Sequence, residues 1–202
     1  MKTRFITILL MFLFLGETRS QNVDISLLRQ INLERNTSLD PTFKLITDSA
    51  VPISIAVPLG VYGVGLLQKD KALKKEGLYI GASLVCAEVV TISLKKIVKR
   101  DRPFVTYPDI QKETTGGNPS FPSGHASAAF STATSLSIAF PKWYVIVPSF
   151  AWASAVGYSR MDLGVHYPSD VLAGMIVGSG SALLSYKAKQ WLSKKEKKPA
   201  MQ

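Results

Sequence analysis

The sequence predicts an all-α transmembrane helical bundle, on three observations. Five apolar runs, 51–67, 77–94, 126–140, 143–158 and 171–186, alternate with polar joints, and Glu88 is the only charged residue in them. Each run is close to the lower length limit for crossing a bilayer as a helix, and flanking residues extend several of them. Small residues recur within the runs, and Gly174 and Gly178 stand four apart on one helical face, which suits close helix packing in lipid. Trp143, Tyr144, Tyr158 and Tyr186 stand at run ends, the place of interfacial anchors. The competing architecture is a soluble helical globule with fully buried core helices, because the Ala/Ser/Thr-rich run 126–140 is only weakly hydrophobic.

Taken in order, residues 1–20 begin with Lys2 and Arg4, run apolar from Phe5 to Leu15 and end Thr18-Arg19-Ser20. That is the layout of a secretory signal peptide cleaved near Ser20. The apolar part is short for a retained membrane helix, so about five spans are expected after cleavage and six if the segment stays. Val23, Leu27, Leu28 and Ile31 fall near helical spacing, and Asp40-Pro41 opens a second short helix with Phe43, Leu45 and Ile46. These two read as short amphipathic helices on the bilayer surface or capping the bundle, with a packed helical hairpin as the alternative. Five spans put the start of the mature chain outside and the basic tail, 191–202, in the cytoplasm. The inner joints and tail then hold more Lys and Arg than the outer segments, the sign expected of membrane topology. The clearest loop, Thr114-Thr115-Gly116-Gly117-Asn118-Pro119, falls on the outer side.

A hydrophobic content of 47% with 19% charged residues excludes a disordered chain, and 202 residues suffice for one domain. The net charge of +10 sits largely in 69–75 and 187–198, both beside apolar runs and without interleaved aromatics. It is therefore assigned to lipid head groups and topology, not to nucleic acid. Cys86 is the only cysteine, which rules out an intrachain disulfide and a zinc ribbon. There are two histidines, His125 and His166, with no HExxH or carboxylate-rich cluster beside them, so no metal site is expected.

Chemistry concentrates in three stretches. In Ser159-Arg160-Met161-Asp162-Leu163-Gly164-Val165-His166-Tyr167-Pro168-Ser169-Asp170, Pro168 suits the first position of a helix and Asp170 its first turn. From there the carboxylate can reach one ring nitrogen of His166, fix its tautomer and leave the other nitrogen free to attack. A capped helix with a surface histidine is the plainer alternative. Lys95 and Arg102 lie seven apart and face one way if their helix continues to Pro103, although a residue before proline tends to leave the helical region. Together they make a phosphate clamp, or else a basic cluster at the membrane edge. In Pro122-Ser123-Gly124-His125, Ser123 is a good N-cap, Gly124 lets an anion approach the backbone, and His125 on the first turn can act as general acid. The span count puts Arg102, His125 and His166 on one face of the bilayer.

These stretches resemble the type 2 phosphatidic acid phosphatases (PAP2 superfamily). The chain reads Lys95, six residues, Arg102-Pro103; then Pro122-Ser123-Gly124-His125; then Ser159-Arg160, five residues, His166, three residues, Asp170. Every fixed position is filled, over 95–170, and residues 21–190 are expected to form the PAP2-like phosphatase domain. The resemblance implies a phosphohydrolase that needs no metal or other cofactor. In it His166 attacks phosphorus to form a phosphohistidine, Asp170 orients it, and His125 protonates the leaving group and later helps activate water. Lys95, Arg102, Ser123, Gly124 and Arg160 hold the phosphoryl oxygens. The expected substrate is a lipid phosphate or diphosphate, of the undecaprenyl diphosphate, phosphatidic acid, phosphatidylglycerol phosphate or lipid A type. The expected location is a bacterial-type inner (plasma) membrane, with the site facing the periplasm or exterior. A soluble periplasmic acid phosphatase of the same superfamily is the alternative, with a vanadium-dependent haloperoxidase or a non-catalytic membrane protein behind it. Glu88 lies outside the motifs and has no assigned role.

Overall fold

The computed structural model describes residues 17–196, with side chains for 23–193. The expected signal segment lies outside the described residues except for its last four, and the end of the basic tail lies outside them as well. The described chain is helical: α1 (Glu17–Leu33), a 3-10 turn (Thr37–Leu39), α2 (Asp40–Asp48), α3 (Ala50–Leu67), α4 (Lys71–Val98), α5 (Pro103–Thr106), α6 (Gly124–Ala139), α7 (Trp143–Asp162) and α8 (Pro168–Glu196).

Local chemistry sets the boundaries. Asp70 caps α4, its Oδ1 accepting from the amides of Ala72 at 2.7 Å and Leu73 at 3.1 Å. Lys99 ends that helix in the left-handed region at φ 50°. The helix therefore stops at Val98 and does not run on to Pro103; Arg102 is extended, at φ −77° and ψ 154°, ahead of the short α5. Ser123 caps α6 and Pro168 opens α8, as the sequence predicts.

The weakly hydrophobic run becomes α6, and α6 is the centre of the bundle, packed against α3, α4, α7 and α8. Its side chains from Ala126 to Ala133 are all buried, so it meets protein on nearly every side and has little need of bulky apolar groups. Small side chains make the core: Ala50, Ala129, Ala133 and Ala153 with Phe130 and Val156. A Cβ on Gly174 would fall 2.6 Å from the Ser123 carbonyl oxygen, and one on Gly178 2.3 Å from that of Ser127. These two glycines let α8 lie directly on α6.

Large apolar side chains face outward along the outer helices: Leu59 and Leu66 on α3, Leu78, Val85 and Val89 on α4, and Ile176, Leu183 and Leu184 on α8. Such a band needs a lipid surrounding and speaks against the soluble globule. All five apolar runs are helical. Among the described residues, three stretches are long and apolar enough to cross a membrane, Thr37–Leu67, Lys71–Thr106 and Pro168–Ser193.

One end of the bundle is capped by α1, α2 and the segment 107–123. Ile25 and Leu28 of α1 are buried with Ile110 and Tyr167, whereas Val23 and Leu27 point outward. The buried Asn32 ties three segments together. Its Nδ2 donates to the Asp162 carbonyl at 2.7 Å and the Gln111 carbonyl at 3.0 Å, and its Oδ1 accepts from the Gln111 amide at 2.8 Å. Gly164, at φ +72°, lets the chain turn where a Cβ would meet the Gln111 carbonyl oxygen at 2.1 Å.

Candidate active site

The three motifs converge at the capped end. A cavity of about 330 Å³ is lined by Lys95, Arg102, Thr115, Gly116, Gly117, Gly124, His125, Arg160 and His166. The lining holds three cations and no carboxylate. Each cation is fixed by oxygen acceptors. Lys95 Nζ donates to the Pro119 carbonyl at 2.7 Å and the Ser120 carbonyl at 3.3 Å. Arg102 donates from Nε to the Gly117 carbonyl at 2.6 Å and from Nη1 to the Val165 carbonyl at 2.7 Å. Arg160 reaches Thr47 Oγ1 at 2.7 Å and the Thr115 carbonyl at 3.1 Å, while its buried Nε has no partner among the described residues. Three cations and an unpaired buried donor, with no carboxylate in the lining, suit this cavity to an anion.

His166 is buried at the cavity wall, and its tautomer follows from its neighbours. Arg102 Nη1 lies 3.2 Å from Nε2, and a guanidinium can only donate, so Nε2 is an acceptor with its lone pair toward the cavity. The proton therefore sits on Nδ1, 3.3 Å from Asp170 Oδ2. Asp170 is in the first turn of α8, where the helix dipole favours its charge. Its Oδ2 also accepts from Ser120 Oγ at 2.5 Å and from the Tyr167 amide at 3.0 Å. Burial pushes the His166 pKa down to about 3; the hydrogen bond to Asp170 opposes this and Arg102 adds to it. His125, ahead of the apolar part of α6, is pushed down to about 4 by burial first and then by Arg160, Arg102 and Lys95. Both imidazoles are thus neutral in the empty site.

The predicted residues fall into two tiers. Lys95, Arg102, Gly124, His125, Arg160 and His166 line the cavity. Asp170 and Ser123 stand behind it: Ser123 is buried, its Oγ accepts from the Ala126 amide at 3.4 Å, and its own amide donates to the Asp170 carbonyl at 3.0 Å. Sequence reasoning missed the Thr115–Gly117 wall, Ser120 and Arg100. Arg100 Nη1 donates to Asp170 Oδ1 at 2.8 Å and its Nη2 to Asp24 Oδ2 at 2.7 Å, and its guanidinium lies 3.7 Å over the Tyr167 ring. Among the described residues no group of three or more His, Cys, Asp or Glu is arranged to hold a metal ion.

The family profile of the PAP2 superfamily matches residues 76–194. The chain belongs to the PAP2 superfamily. The match covers every motif of the site and four of the five apolar runs. The chain is 34% identical over 154 residues to an undecaprenyl-diphosphatase of Sulfolobus acidocaldarius, covering 71% of this chain and 74% of that protein. It is 31% identical over 169 residues to a lipid A 1-phosphatase of Rhizobium etli, covering 75% and 72%. The fold is that of a solved transmembrane PAP2-type phosphatidylglycerolphosphate phosphatase from Bacillus subtilis, with a TM-score of 0.71 at 23% identity over 98% of this chain and 96% of that one. As a PAP2 protein the chain is a membrane phosphatase.

Proposed function

We propose that this PAP2 protein hydrolyses a lipid-linked phosphate or diphosphate through a phosphohistidine on His166, at the outer face of a bacterial-type plasma membrane. The observation that carries the reading is the cavity itself, where both histidines of the chain meet three cations and no acid. Lys95, Arg102 and Arg160 neutralise the phosphoryl oxygens, and the amides at the start of α6, behind Gly124, add a dipole of the right sign. His125, neutral in the empty site, takes up a proton as the anionic phosphoryl group binds; His166 Nε2 then attacks phosphorus as the bond to the leaving oxygen breaks, and His125 gives that proton to the oxygen. Nδ1–H stays on the imidazole and donates to Asp170, which stabilises the positive charge on the ring. Water then attacks the phosphoryl group, gives its proton to His125 and releases phosphate, leaving His166 neutral.

The apolar band on α3, α4 and α8 supports a lipid substrate whose tail stays in the bilayer while the head group enters the cavity. The two relatives are described as acting on undecaprenyl diphosphate and on lipid A, and phosphatidic acid and phosphatidylglycerol phosphate complete the candidate set. Five spans, formed by α3, α4, α6, α7 and α8, would leave the cavity outside and the joints 68–76 and 141–142 and the tail inside, in keeping with the excess of Lys and Arg in those inner segments. The test is phosphate release by the purified protein in detergent from these four lipids, with EDTA present. Turnover of at least one, lost in His166→Ala, is expected; a strict magnesium requirement or full turnover in His166→Ala would contradict the reading.

A further inference from the structure

Asp170 lies within electrostatic reach of two cavity cations, Lys95 and Arg102, either of which offers a stronger ion pair than a neutral imidazole. The carboxylate would be lost to His166 if it swung toward them. What holds it back is not one of the fixed motif positions. Arg100 takes Asp170 Oδ1 at 2.8 Å and so leaves Oδ2 for His166 Nδ1, Ser120 and the Tyr167 amide. Arg100 is itself held by the N-terminal helix: its Nη2 donates to Asp24 Oδ2 at 2.7 Å. Asp24 also accepts from the Ser169 amide at 2.9 Å through Oδ1 and from Ser169 Oγ through Oδ2, so it grips the first turn of α8, where Asp170 stands. Arg100 Nη1 donates to Ser169 Oγ at 2.7 Å, and its guanidinium carbon lies 3.7 Å from the centre of the Tyr167 ring. Asp24 is buried in this contact.

We infer that Asp24 is a positioning residue for the phosphatase reaction, setting the Asp170 carboxylate, through Arg100, in the orientation that makes His166 a nucleophile. Helix α1 is then more than a lid: it supplies the end of a chain Asp24–Arg100–Asp170–His166 reaching from the N-terminal helix to the reacting nitrogen. The charges alternate along it. Asp24 offsets Arg100, so the guanidinium can orient Asp170 without drawing off the negative charge that the ring needs once phosphorylated. Lys95, Arg102 and Arg160 do not take part, so ground-state binding of the phosphoryl group is independent of Asp24.

This rests on the reading of His166 as nucleophile, and the two can fail separately. The experiment compares Asp24→Asn, Asp24→Glu, Arg100→Gln and the double variant with the parent, on phosphatidic acid or undecaprenyl diphosphate in mixed micelles, whichever the parent turns over. Asp24→Asn is expected to lower kcat about tenfold, the scale on which displaced catalytic groups lose rate, with KM within about twofold. Asp24→Glu, which restores the ion pair, is expected to recover most of that loss. The double variant should be no slower than Arg100→Gln, because both substitutions break one chain. The inference is overturned if Asp24→Asn keeps the parental kcat, if its effect falls on KM, or if the two losses multiply. Should His166→Ala remain fully active, the nucleophile assignment falls instead.

Discussion

His125 carries the most direct consequence at the scale of single residues. Burial and the three cations hold its pKa at about 4 in the empty site, and a bound phosphoryl group cancels most of the charge that depresses it. The pH profile of kcat/KM reports the free enzyme and that of kcat the complex. The alkaline decline of kcat, where His125 loses its proton, should therefore lie at higher pH than that of kcat/KM; coincident limbs would mean that His125 does not face the phosphoryl group. On the proposed mechanism His166 must be neutral to attack, and burial, which pushes its pKa down to about 3, favours that form. Gly116 gives a second test. A Cβ there would lie 2.8 Å from Arg102 Nη1 and 3.2 Å from Val165 Cγ1, and Arg102 is already fixed by two carbonyls. Gly116→Ala should lower kcat/KM about tenfold by displacing that cation, whereas Gly117→Ala, with nothing within 4 Å of its Cβ, should leave it unchanged. The motif residues were legible in the sequence because each is tied to a helix start or to a short spacing. Arg100 and Asp24 were not, since their meaning depends on a contact across 76 positions. Ser120 was missed for the same reason: its partner Asp170 is 50 positions away.

Among the elements, the contact of α6 with α8 fixes the site, since α6 brings His125 and α8 brings Asp170. Gly174 and Gly178 make that contact possible. Gly178→Ala would put a methyl 2.3 Å from the Ser127 carbonyl oxygen and 2.8 Å from the Ser131 nitrogen, both backbone atoms that cannot swing aside. The helices must separate, at a cost of about 1–3 kcal/mol. Thermal unfolding in detergent should show a lower Tm for Gly178→Ala together with reduced kcat, and Gly180→Ala, whose Cβ meets nothing within 4 Å, should match the parent. A parental Tm in Gly178→Ala would remove the close packing from the account. The five long helices α3, α4, α6, α7 and α8 were legible from the apolar runs, and the small residues announced tight packing. The sequence did not reveal that α6 lies at the centre, because a weakly apolar helix reads alike whether it is shielded by neighbours or exposed to water. The run between Lys95 and Arg102 was also ambiguous. Lys99 adopts a left-handed conformation that ends α4 early, and an extended strand of backbone carries Arg102 to the cavity.

For the whole molecule, the claim is one of sidedness: a cationic cavity at the end capped by α1 and α2, and lysine-rich turns at the other. Impermeant thiol labelling in a Cys86→Ser background tests it. Lys112→Cys, on the capping segment, should label in intact cells, and Lys71→Cys only after the membrane is opened; the reverse pattern would turn the protein over. The outward apolar band and the PAP2 relatives place the chain in a membrane, and the orientation proposed for it rests on the excess of Lys and Arg in the inner segments. The central claim, however, is chemical: a phosphoryl group passes through Nε2 of His166 while His125 serves the leaving oxygen. Its most direct test is a base-quenched single turnover on a lipid phosphate labelled in the phosphoryl group, followed by peptide mapping under alkaline conditions that preserve phosphohistidine. The account predicts an alkali-stable, acid-labile label on the peptide carrying His166 and none in His166→Ala. A label on another residue, or complete turnover with no phosphorylated protein at any time, would contradict it.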